Sequence, residues 1–184
     1  IRRQWSRRSD SLVRRDLGAG ARAVTAPERI GRIVSRQGMV PKYGRLLYRM
    51  VSTMKPQTIL ELGTSVGIGT SYLAVASAET KITSVEGCPA THAVARTHPL
   101  LQRDGIRLLC DDFDHALAQF SRENQHFDMV FVDGDHSYEG TLRYFQALRP
   151  LLHPGSIVVF DDIHWSEGME AAWQEIKKEP EVTL

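Results

Sequence analysis

The chain has 184 residues, 42% of them hydrophobic, and a net charge of +1, which supports one domain with a real core and is too short for two ordinary ones. No apolar run approaches the roughly eighteen residues of a spanning helix, and the opening IRRQWSRRSD lacks the apolar stretch of a secretory signal, so a soluble, cytoplasmic protein without a membrane span is expected. Cys88 and Cys110 are the only cysteines; they exclude a disulfide framework, suit a reducing compartment and have no metal-type spacing.

The near-neutral total hides two unlike parts. Residues 1–55 hold 14 Lys and Arg against 3 acids, and residues 56–184 hold 9 against 19. The first part reads as a basic helical extension and the second as the main domain of one globular unit. The arginines are scattered through helical patterns rather than gathered in a dense run, which favours an arm packed on its own acidic domain over a nucleic-acid tail.

From Ser9 to Ala26 the sequence is polar and rich in Gly and Ala, as in a loop; its DLGAG stretch looks like a phosphate turn but has no strand before it to fix one end. Helices are expected over 26–51, with Pro27 near a first turn and with Tyr43, Leu46, Leu47, Met50 and Val51 on one apolar face. Tyr48 and Tyr72 also fit apolar helix faces, so core packing is expected of the tyrosines. Strands follow at 58–62, 81–86, 106–110, 127–133 and 156–161, alternating with helices that start near Gly69, Cys88, Phe113, Tyr138 and Glu167. Apolar strands separated by helices specify an α/β, doubly wound, mostly parallel sheet of Rossmann-like type, with extra N-terminal helices. In such a sheet ligands sit beyond the carboxyl ends of the strands.

Every one of those ends is acidic: Glu61, Glu86, Asp111 with Asp112, Asp133 with Asp135, and Asp161 with Asp162. A dinucleotide turn reads GxGxxG, whereas TILELGTSVGIGTSYLA spaces its glycines at 63, 67 and 69 and puts Glu61 just before them. A carboxylate there would repel phosphate and welcome an ammonium group. Gly63 and Gly67 let the backbone approach a ligand closely, and Glu86 at the end of the second strand can accept from two ribose hydroxyls. Ribose and a cationic amine without phosphate describe S-adenosylmethionine.

ILELGTSVGIGTSYLA, ITSVEG, FDMVFVDGDHSYEG and PGSIVVFDD resemble successive motifs of class I S-adenosylmethionine-dependent methyltransferases, especially the small-molecule O-methyltransferase branch, over about residues 45–175. The resemblance implies that Glu61, Gly63, Ser65 and Gly67 hold the amino acid part of the cofactor and that Glu86 binds its ribose. It also implies that Asp112 faces the adenine amino group with the backbone of Phe113 beside it, although Asp111 stands where the family often has glycine.

Strands four and five should flank the first on one side, bringing Asp133, His136, Asp161 and Asp162 beside the cofactor's methyl group. Three crowded carboxylates invite a hard divalent cation such as Mg²⁺, which would orient a chelated hydroxyl for attack, with His136 as general base. This resembles the metal-dependent sugar and catechol O-methyltransferases, although the catechol group has an acid followed by asparagine where this chain has Asp161-Asp162. The competing structural reading has Asp133 and Asp135 capping the next helix with Ser137, and His136 as a loop residue bonded to Tyr138 or Asp161. His164 and Trp165 would line the substrate mouth, while His92, His98, His115, His126 and His153 read as surface or capping residues.

The expected function is methyl transfer to a hydroxyl of a small molecule. The alternatives are an RNA methyltransferase gripping phosphates with its basic arm and a non-catalytic cofactor-binding module. The sheets of such domains end in a sixth strand and an antiparallel seventh, and the sequence stops at EVTL where the sixth would begin. An incomplete C-terminal hairpin is therefore expected, its edge left bare by truncation or covered by a partner chain, as in a homodimer.

Overall fold

The computed structural model describes residues 2–14 and 26–184, so the DLGAG stretch and most of the loop expected around it lie outside the described residues. The N-terminal part contains helix α1 (Arg2–Trp5), strands β1 (Ser11–Leu12) and β2 (Glu28–Arg29), and helices α2 (Ile30–Arg36) and α3 (Pro41–Met54). The helix expected from Ala26 starts only at Ile30, because Glu28 and Arg29 pair antiparallel with Leu12 and Ser11. The chain breaks again after Arg36 and restarts at Pro41, whose fixed φ suits a first helical position.

On α3 the core face is Gly44, Leu47 and Val51, with Met50 partly buried against it. Tyr43, Leu46 and Tyr48 are exposed, which corrects their expected place in the core. Helical spacing defines a stripe but not its centre. A Cβ on Gly44 would run into the ring of Tyr72 on the next helix, and this close approach turns Tyr43 and Leu46 outward.

The main domain alternates β3 (Thr58–Leu62), α4 (Ile68–Ala76), β4 (Lys81–Glu86), α5 (Pro89–Ala95), β5 (Ile106–Cys110), α6 (Phe113–Arg122), β6 (Met129–Val132), α7 (Tyr138–Leu148), β7 (Ile157–Phe160) and α8 (Glu167–Ile176). The five strands pair in the order β5-β4-β3-β6-β7, all in parallel. This is the Rossmann-like sheet that the motifs required, with the first and fourth motif strands side by side. Successive side chains of the central strand go to opposite faces. Ile59 joins a core with Val51, Leu73, Ile82, Met129 and Phe131. Leu60 and Leu62 join another with Val85, Leu117, Phe120, Val130 and Leu148. Burying each such side chain is worth about 1.5–3 kcal/mol. The outer strands β5 and β7 are only partly buried, because a strand at either edge of the sheet has a neighbour on one side alone, and among the described residues no strand pairs with the outer side of β7.

The basic arm is part of this body. Trp5, Ile30, Ile33 and Val34 belong to the same core as Ile59 and Ile82, and the ring of Trp5 lies 4.6 Å from that of His98. His98 is therefore not a surface residue: it is 0% exposed, neither ring nitrogen has a partner, and burial, aided by the positive charge of Arg8, lowers its pKa to about 4. No spacing in the sequence signals this, since the ring that covers it lies far upstream.

Candidate functional site

The turn after β3 is shaped by its backbone. Gly63 has φ +110, and a Cβ there would collide with the carbonyl oxygen of Asp133, so only glycine lets the end of β3 lie against the end of β6. Gly67, at φ 85, is the N-cap of α4, and Ser65 is held left-handed at φ 48. The turn is tied back by the Gly63 and Thr64 N–H groups, which donate to the Val85 carbonyl at 2.9 and 3.2 Å.

Glu61 departs from its expected role. It shares a face of β3 with Ile59, so its carboxylate points under α4 rather than into the ligand cleft, and it is 0% exposed. Oε2 accepts from the hydroxyls of Thr70 and Ser84, both at 2.5 Å, while Oε1 is buried without a partner. Burial raises its pKa to about 7 against the lowering by those two hydroxyls, with further raising from Asp133 and Glu86. Glu61 thus supports the glycine turn from below, and Gly69 is small because a Cβ there would come within 3.0 Å of Oε1.

Glu86 faces the cleft as expected, and both its oxygens are held. Oε2 accepts from the Ser65 N–H at 2.6 Å and Oε1 from the Cys88 N–H at 2.8 Å. A carboxylate has about four acceptor positions, so two remain for incoming hydroxyls. At the end of β5, Asp112 caps α6, its Oδ1 accepting from the N–H groups of Asp114 and His115 at 2.9 and 3.3 Å. Asp111 bonds outward to His115 Nδ1 at 2.7 Å and does not line the cleft, so the departure from glycine at this position is accommodated away from the ligand space.

The ends of β6 and β7 form the other half of the cleft. Asp133 is fixed by its own N–H, which donates to the Leu62 carbonyl at 2.8 Å, and His136 Nε2 stands 3.6 Å from Asp133 Oδ1. Burial pulls the pKa of His136 down, but the hydrogen-bonding influence of Asp133 and the charges of Asp133, Asp162 and Asp161 outweigh it and leave it raised. Asp161 is pushed up to about 6, first by burial and then by the charges of Asp133 and Asp162. The helix-capping alternative falls to Ser137, whose hydroxyl accepts from the Gly140 N–H at 3.0 Å. Asp135 instead accepts from Tyr144 at 3.3 Å. Among the described residues no three of His, Cys, Asp and Glu stand together as a ready metal-ligand set.

The two halves open on one cleft of about 470 Å³, lined by Gly63, Ser65, Glu86, Asp112, Phe113, Asp133, His136, Asp161 and Asp162 but not by Glu61, Gly67 or Asp111. Among the described residues six non-glycines have positive φ, and four of them line it: Ser65, Asp135, His136 and Asp162. Such conformations cost about 1–3 kcal/mol each and persist where surrounding structure enforces them, typically at functional sites. The sequence reading missed the opposite wall, made by Arg14, Arg36, Met39, Val40 and Tyr43, and it missed Tyr144, whose ring meets Phe113 edge-on at 5.6 Å. The exposed position of Tyr43 is what brings it to the cleft, and no periodicity distinguishes that from a core face.

A family model described as a methyltransferase domain matches residues 60–163. A catechol O-methyltransferase of Niastella koreensis is 29% identical over 129 residues, 67% of this chain and 57% of the relative. A "Probable O-methyltransferase" of Mycobacterium tuberculosis is 33% identical over 135 residues, 65% and 55% of the two chains. The chain therefore spans a little over half the length of these curated relatives. Among solved structures, an O-methyltransferase from Bacillus cereus in complex with SAH superposes with TM-score 0.68 at 24% identity, covering 77% of this chain and 71% of that one. The O-methyltransferase TomG from Streptomyces achromogenes in complex with SAM gives TM-score 0.63 at 22% identity, covering 76% and 68%. These two likenesses establish the fold.

Proposed function

The chain belongs to the methyltransferase domain family matched over residues 60–163, and from that premise we propose that it binds S-adenosylmethionine in this cleft and transfers the methyl group to a hydroxyl of a small molecule. The observation that carries the reading is Glu86, a carboxylate aimed at the cleft and fixed by two backbone N–H groups. Held that way it accepts hydroxyl donors and repels a phosphate. The resemblance of the motifs and the names of the curated relatives agree with it.

Bound there, S-adenosylmethionine supplies an electrophilic methyl group on a sulfonium sulfur. Gly63 and Ser65 let the backbone pass close to the amino acid part, Glu86 orients the ribose, and Asp112 with Phe113 borders the adenine end. With the cofactor bound, His136 Nε2 would be placed to take the proton of the acceptor hydroxyl. The gap of 3.6 Å from Nε2 to Asp133 exceeds a hydrogen bond. The charges of Asp133, Asp161 and Asp162 then stabilise the imidazolium.

A divalent cation such as Mg²⁺ is a second reading of the same corner, favoured by Asp161, which burial first and then the charges of Asp133 and Asp162 push up to about 6. Asp133, Asp161 and Asp162 have the hard oxygen donors it prefers, but they do not already stand as a ligand set, so no step above depends on it. The test is methyl transfer from labelled S-adenosylmethionine to a panel of hydroxyl compounds, with Mg²⁺ or with a chelator, in the wild type and in His136→Ala. Turnover lost in the variant is expected; a panel that stays unmethylated under both conditions contradicts the function.

A further inference from the structure

The turn that carries His136 is strained and is held from outside. The His136 N–H donates back to the Gly134 carbonyl at 2.9 Å, and Asp135 between them has φ 65. A hydrogen bond spanning two residues with the middle one at positive φ marks the strained and rare form of the γ-turn. His136 itself follows at φ 42, so two consecutive non-glycine residues sit in backbone that the surroundings must enforce.

The enforcement comes through the Asp135 side chain, which lies against α7. A Cβ on Gly140 would run into its Oδ2, the Tyr144 hydroxyl donates to the same oxygen at 3.3 Å, and Arg143 Nη2 stands 3.7 Å from it. Burial, and then the charges of Asp135 and Asp114, push the Tyr144 hydroxyl up to about 12, so it stays a donor at neutral pH. Both partners are anchored on α6 in turn. Arg143 Nε donates to Asp114 Oδ1 at 2.8 Å, and the buried Tyr144 ring meets Phe113 edge-on.

We propose, resting on the methyl-transfer reading above, that Tyr144, assisted by Arg143, is a positioning residue for the base: by clamping the Asp135 carboxylate to α7 it holds the turn, and with it the His136 ring, where Nε2 reaches the acceptor hydroxyl. The clamp acts on His136 through the backbone, whereas Asp133, Asp162 and Asp161 act on it through charge. A neutral side chain that accepts the same hydrogen bond can therefore replace Asp135. Asparagine offers such an acceptor and tolerates the left-handed region; alanine does neither.

The test measures steady-state methyl transfer to an acceptor from the hydroxyl panel. It also records the ring signals of His136 in a nitrogen-15 NMR spectrum of the free protein, assigned by their absence in His136→Ala. Tyr144→Phe keeps the ring on Phe113 and loses only the hydroxyl. It should lower kcat about 3- to 10-fold, the worth of one hydrogen bond, leave the KM for S-adenosylmethionine unchanged and displace the His136 signals. Asp135→Ala should lower kcat at least as much, Asp135→Asn should keep at least about half of the turnover, and Tyr144→Phe added to Asp135→Ala should cost nothing more. Tyr138→Phe, on the same helix but bonded to Glu175, should match the wild type throughout. Unmoved His136 signals in Tyr144→Phe, an Asp135→Asn as impaired as Asp135→Ala, or additive losses in the double variant overturn the proposal. A wild type without turnover whose His136 signals still move in Tyr144→Phe ends the methyl-transfer reading and leaves the clamp standing; an active wild type with unmoved signals ends the clamp alone.

Discussion

The two halves of the cleft are built in opposite ways. At the ends of β3 and β4 the carboxylates are held before any ligand arrives: Glu86 by two backbone N–H groups, and Glu61, out of the cleft, by two buried hydroxyls on Oε2, its Oε1 being left without a partner. At the ends of β6 and β7 the charges are left in tension. Asp161 is pushed up to about 6 by burial and by its acidic neighbours, His136 Nδ1 is buried without a partner, and Asp135, His136 and Asp162 sit in left-handed backbone. A half that is fixed in advance binds with little reorganisation; a half with displaced pKa values and local strain is where proton transfer is expected.

The sharpest way to break this contrast is at Gly63, where the two halves touch. Gly63→Ala forces a Cβ into the carbonyl of Asp133 at a φ that alanine rarely adopts. A loss of at least about 4 kcal/mol in urea denaturation is expected; a loss under about 1 kcal/mol would mean that the halves are not locked together here.

Glu61 gives the next largest effect. Its pKa is raised in the fold from 4.5 to about 7, so the folded state binds the extra proton. Its favourable contribution is complete below pH 4.5 and is lost as the pH rises through about 7. Glu61→Gln keeps an acceptor for Thr70 and Ser84 and removes the charge. Relative to the wild type it should gain stability on the order of 2 kcal/mol between pH 5 and pH 8. A pH-independent difference would show that Glu61 is charged in the fold.

The smallest effect is a displacement on the pH axis. Asp133 raises the pKa of His136, and a general base works in its neutral form. In Asp133→Asn the ascending limb of the rate against pH should therefore move to lower pH. A limb that stays in place would remove Asp133 from the electrostatics of the base.

The sheet was legible because β3 to β7 carry apolar runs with turn residues at both ends, and all five strands lie where those runs put them. The acidic carboxyl ends located the cleft by topology alone. Three features resisted the same reading for physical reasons. The face of Glu61 depends on strand register, which decides whether a side chain points under a helix or into a cleft. The burial of His98 depends on a tryptophan far away in sequence. The outward turn of Tyr43 follows from how closely Gly44 approaches Tyr72. Each is set by long-range packing, which local patterns do not encode.

The most direct test is calorimetry of S-adenosylhomocysteine and of a dinucleotide diphosphate against the wild type and Glu86→Gln. One-to-one binding of the first ligand, weakened about 10- to 100-fold in the variant, with no uptake of the second, is the expected result. Uptake of the diphosphate, or unchanged affinity for S-adenosylhomocysteine in Glu86→Gln, would contradict a cleft whose ligand is selected by a fixed carboxylate.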